Sequence, residues 1–118
     1  LTRMKTIKRA IFLGWTVALL GQTSPTHAGS QWHTCQPADV AAFTNRVHVR
    51  CKASAAGGIK YFAVRSSEPF SKNFLAIANS ALVAGKSLKV KFDSSQSGTN
   101  FGCSSNDCRP ALAIAIFR

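Results

Sequence analysis

The stretch from Gly58 to Phe92 constrains the fold most tightly. A short apolar run, Ile59-Lys-Tyr-Phe-Ala-Val64, leads into one amphipathic segment, Glu68 to Ala84, which Gly85 stops. Lys86 to Phe92 then alternates between polar and apolar residues. The pattern predicts strand, helix, strand. Phe70, Phe74, Ile77, Ala81 and Ala84, widened by Ala78 and Leu82, recur at helical spacing and form the face expected to pack on the sheet. Ser67 is the expected N-cap, with Glu68 and Pro69 in the first turn. The opposite face carries Lys72, Ala76, Asn79 and Val83. One charge is few for a surface helix on a basic chain. The face is either a short-helix accident or a contact surface, and Ala76, Asn79 and Val83 are the candidates for meeting a second subunit.

Other strands follow from the same period. In Arg46 to Ala53, Val47, Val49, Cys51 and Ala53 point one way, and Arg46, His48, Arg50 and Lys52 the other. Ser54 to Gly58 makes a turn, so Ile59 to Arg65 returns antiparallel; its Tyr61 and Phe62 fall on opposite faces, as in a central strand. Leu88, Val90 and Phe92 are expected inward, and Ser87, Lys89 and Lys91 outward. Thr99 to Cys103 reads as a short strand, and Pro110 to Phe117 as a buried last strand. Before all of these, Gln31 to Cys35 reads as an arm and Pro37 to Phe43 as one or two helical turns. The result is a mainly β chain with one helix (α+β), in the order strand, strand, helix, strand, strand, strand.

The first 28 residues have the form of an export signal. Arg3, Lys5, Lys8 and Arg9 precede the apolar run Ala10 to Leu20, and Thr26-His27-Ala28 offers small residues for cleavage after Ala28. The apolar run is shorter than the roughly 20 residues a membrane span needs. The expected mature domain is 29–118, secreted or periplasmic. The chain has 15 Lys and Arg against four acids. With the first four basic residues removed, the domain keeps a net charge of about +7. Cys35, Cys51, Cys103 and Cys108 all lie in it, and an even count in a small exported domain predicts two disulfides rather than a zinc site built from Cys35, Cys103, Cys108 and His33.

No catalytic constellation is present in the sequence, and no cofactor or metal is expected. His48 has Arg46 and Arg50 beside it, which lower an imidazole's pKa, and no carboxylate to orient it. The outward basic residues Arg46, Arg50, Lys52, Lys89 and Lys91 form one positive sheet face if their strands are neighbours. Tyr61 or Phe62 would add an aromatic surface. Such a face suits nucleic acid, acidic glycan or lipopolysaccharide; it equally suits exposed strands kept soluble by charge.

From Ile59 to Cys108 the chain resembles the B subunits of subtilase-type and typhoid-type AB toxins. The resemblance rests on IKYFAV, SSEPFSKNF, the helix body, AGKSLKVKF and the closing CSSNDC, with PALAIAI similar to the last strand of that group. It implies an OB-like five-stranded barrel, a pentameric ring, and binding of cell-surface glycans without catalysis. In those subunits a cysteine of the first strand pairs with one in the next. Here that position is Phe62 or Ala63, so Cys51 is expected to pair with Cys35, and Cys103 with Cys108. No sugar-contacting residue is carried over from the family.

Overall fold

The structure, a computed structural model, describes residues 29–117. The basic and apolar runs and the expected cleavage site lie outside the described residues. Six strands and one helix follow in the order β1 (Ser30–Cys35), β2 (Pro37–Ala42), β3 (Arg46–Ala55), β4 (Ile59–Arg65), α1 (Phe70–Ala84), β5 (Ser87–Asp93) and β6 (Cys108–Phe117). The strands hydrogen-bond in the order β1-β5-β6-β4-β3-β2. All pairings are antiparallel except β4 with β6, whose parallel pairing is bridged by α1 and β5. The ladder does not close, and β1 and β2, one residue apart in the chain, are its two edges.

The expected helical turns at Pro37 to Phe43 are strand β2, and the expected arm is strand β1. Local signals misled here because pairing decides the conformation. Val40 sits opposite Val49 on β3, and Pro37 occupies the first strand position, where its missing N–H costs no ladder bond. The strand expected at Thr99 to Cys103 is a 3₁₀ turn at Thr99–Phe101 followed by an isolated bridge between Gly98 and Cys103.

The helix begins two residues later than Ser67 suggests. Ser66 to Pro69 is a turn, Pro69 is the N-cap, and no side chain caps the helix. Ser71, buried, donates its hydroxyl to the Ser66 carbonyl at 3.1 Å, so its polar group is satisfied. At the other end Gly85 adopts φ 68°, and Lys86 N–H reaches the Ala81 carbonyl at 2.9 Å, the Schellman arrangement.

The core lies between the helix and the inward face of the sheet. Phe74, Ala78 and Ala81 of α1 meet Val49, Phe62, Leu88, Val90 and Phe92. Phe62 and Phe92 pack with ring centroids 4.9 Å apart. The two disulfides, Cys35–Cys51 and Cys103–Cys108, are both buried. The first ties β1 to β3; the second closes the loop before β6. Three expectations of burial fail. Ala84, expected on the packing face of the helix, is exposed at its last turn. Ala53, expected inward with Cys51, is exposed in the stretch of β3 where the register shifts between Arg50 and Ala55. β6 is not buried along its length: it pairs with β4 only at Cys108 to Pro110, so Leu112, Ile116 and Phe117 are exposed.

Candidate binding face

The outward residues of β3 and β4 build one face. Because Val47, Val49 and Cys51 turn into the core, Arg46, His48 and Arg50 must turn out. Across the ladder they stand opposite Arg65, Ala63 and Tyr61. His48 is the centre of an aromatic row, with its ring centroid 5.0 Å from Tyr61 and 5.2 Å from Phe43. The Arg46 guanidinium covers Phe43 at 4.2 Å and donates to Asn45 Oδ1 at 3.2 Å.

One border is the Phe43-Thr-Asn45 turn between β2 and β3. The other is the long loop from Ser94 to Asp107, held on the face by a small buried cluster of Ala63, Phe101, Cys103 and Cys108 against Tyr61. The Asp107 carbonyl accepts from both Lys60 and Tyr61 N–H, at 2.8 and 2.9 Å. Arg109 gathers the loop further, donating to the carbonyls of Ser94, Ser105 and Cys108 at 2.7–2.9 Å. Between the borders lies a cleft of about 200 Å³, lined by Arg46, His48 and Tyr61 of the strands and by Gly102, Ser104 and Asp107 of the loop.

Burial holds the His48 pKa below its ordinary value; Arg46 pushes the same way, Asp39 opposes it more weakly, and Arg50 adds a smaller lowering. The imidazole is therefore neutral at neutral pH, free to stack as an aromatic. Among the described residues, no carboxylate hydrogen-bonds its ring.

The basic residues singled out by sequence do not form one face. β3 and β5 are separated by β4 and β6, so Lys89 and Lys91 lie apart from Arg46, Arg50 and Lys52. Arg50 is paired with Asp39, whose Oδ2 accepts from both its Nε and Nη2 at 2.7 Å. Lys52 is exposed beyond the row. Phe62 is in the core, so Tyr61 is the strand's outward aromatic. Phe43, Asn45 and Gly102 were missed by sequence. An aromatic directly before a Thr-Asn turn would have pointed to Phe43, had β2 been read as a strand. Ala76, Asn79 and Val83 are all exposed, Val83 at 80%.

Among the described residues no helix is long and apolar enough to cross a membrane, and no group of three or more His, Cys, Asp or Glu is placed to hold a metal ion. The chain matches no family model, no curated protein and no solved structure.

Proposed function

We propose that the protein is an exported, non-enzymatic binding module that takes an acidic saccharide on the β3–β4 face. The observation that carries this reading is the Phe43–His48–Tyr61 row with Arg46 at its edge. Aromatic rings offer a platform for the apolar face of a sugar ring, and a planar guanidinium pairs two-pronged with a carboxylate. The cleft between the rings and the Ser104–Asp107 loop has room for one ring or one acidic group, not for a large ligand.

The OB-like reading supports the choice of face. β1 and β2 act as one strand bent at Gln36, whose carbonyl accepts from Lys52 N–H of β3 at 2.9 Å, beside the Cys35–Cys51 bond. Counted that way the strands number five, with a parallel pair across the helix, and β3 and β4 become the second and third strands. In OB folds those two strands and the loops beside them are the usual binding surface. The two disulfides fit an oxidising compartment. By the toxin-subunit resemblance the module forms a homo-oligomer, a pentameric ring; the exposed, weakly charged helix face of Ala76, Asn79 and Val83 is the surface proposed for that contact.

A glycan array tests the reading: acidic saccharides are expected to bind and their neutral counterparts not, and an array without binding overturns it. The second reading is a monomer that binds a long polyanion, favoured by the net charge of about +7 on residues 29–118. It predicts an affinity falling steeply on a log–log salt plot.

A further inference from the structure

At the other end of the sheet, β1, β5 and β6 present a second outward face. The register places Trp32, Lys91 and Ala113 in one row across the three strands, and Thr34, Lys89 and Ala115 in the next. Phe117 stands opposite Ser87 beyond them. The two alanines leave a low floor. Trp32 and Phe117 rise at diagonal corners, 51% and 37% exposed, and with Lys89 they border an open groove of about 410 Å³. Lys91 Nζ lies 5.9 Å from the Trp32 ring and Lys89 Nζ 5.2 Å from the Phe117 ring. Among the described residues the one ion pair is Arg50–Asp39, and neither lysine has a carboxylate partner among them. Asp93, the one acid on β5, accepts from Ser95 N–H and Oγ instead. Two cations thus flank exposed aromatic surface.

We propose that this face docks on the surface of an anionic phospholipid bilayer, with Trp32 and Phe117 at the headgroup boundary and Lys89 and Lys91 against the phosphates. An indole, apolar with one polar N–H, settles at that boundary. Lysines beside it are attracted by the negative surface potential. A free anion would leave both aromatic rings in water, whereas a bilayer covers rings and charges together. The contact is peripheral and reversible. It is separate from the β3–β4 face and stands or falls without it.

The test uses the full chain with Trp15→Phe, which leaves Trp32 as the sole tryptophan. Its emission and its quenching by acrylamide report on residue 32 alone, and the lysine variant below, which keeps residues 1–28, separates this face from any contact they make with a vesicle. Vesicles of phosphatidylglycerol and phosphatidylcholine are expected to shift the emission to the blue and to cut quenching about twofold or more, as for an indole leaving water. Phosphatidylcholine vesicles and inorganic phosphate are expected to change neither. Lys89→Gln/Lys91→Gln, checked for folding by circular dichroism, is expected to weaken binding about tenfold or more. Trp32 remaining equally quenchable on anionic vesicles overturns the proposal. So does an equal response to phosphatidylcholine, to phosphate alone, or in the lysine variant. Protection of Trp32 on concentrating the protein without lipid marks a contact between copies, and also overturns it.

Discussion

Gly102 leaves the space that the Arg46 guanidinium occupies: a Cβ at Gly102 would stand 2.5 Å from Arg46 Nη1. The glycine also has φ 91°, which a side chain rarely tolerates. The two loops bordering the cleft therefore meet at this arginine, which Phe43 and Asn45 hold from the other side. Gly102→Ala is expected to displace Arg46 as well as strain the backbone. The expected loss of stability is about 1–2 kcal/mol, read by denaturant unfolding, together with weaker saccharide binding. Unchanged binding would show that Arg46 does not position the ligand.

His48 makes stability depend on pH. Its folded pKa lies below the ordinary value of 6.5, so the unfolded chain binds the proton more readily. The stabilising effect of the neutral ring is fully present above that value and is lost as pH falls through the folded pKa. Unfolding measured from pH 7.5 downwards should show wild type losing stability more steeply than His48→Phe. The difference in slope should not exceed about 1.4 kcal/mol per pH unit, the limit for one proton. Parallel curves for the two proteins would contradict the burial of the ring.

The two disulfides should differ in worth. Cys35–Cys51 spans 16 residues and joins β1 to β3, whereas Cys103–Cys108 spans five. Replacing both cysteines of the first pair by alanine should cost about 3 kcal/mol, and of the second about 2 kcal/mol. Loss of the second should also free the Ser94–Asp107 loop, visible as faster amide exchange there. Peptide mapping without reduction checks the pairing itself.

The helix offers a test of assembly. Val83 projects into solvent on the side of α1 away from the core, with Ala76 and Asn79 exposed beside it. If copies meet there, Ala76→Glu/Val83→Glu should convert an oligomer to a monomer in light scattering while the helix content stays the same. An unchanged assembly in that variant would remove the face from consideration.

Elements with one wet and one dry side were legible in the sequence. The alternation in Arg46 to Cys51 and in Lys86 to Phe92, and the helix stopped by Gly85, reappear as β3, β5 and α1. Elements defined by a distant partner were not. β2 carries Pro37 and Asp39, and nothing local says that Val40 will pair with Val49. The burial of β6 was overstated because an apolar run does not reveal how far its neighbours extend. The site was half legible. Arg46, His48 and Tyr61 were visible as outward residues, but the separation of Lys89 and Lys91 from them depends on strand order, and the role of Gly102 depends on a loop closing over the sheet.

The central claim is that the β3–β4 face holds an acidic saccharide between its rings and Arg46. Equilibrium titration of the acidic saccharide best retained on an array, against wild type and Arg46→Ala/Tyr61→Ala at one salt concentration, tests it most directly. The expected loss in the folded variant is about a hundredfold, the size of two good polar and stacking contacts. An affinity unchanged by the double substitution would contradict the claim.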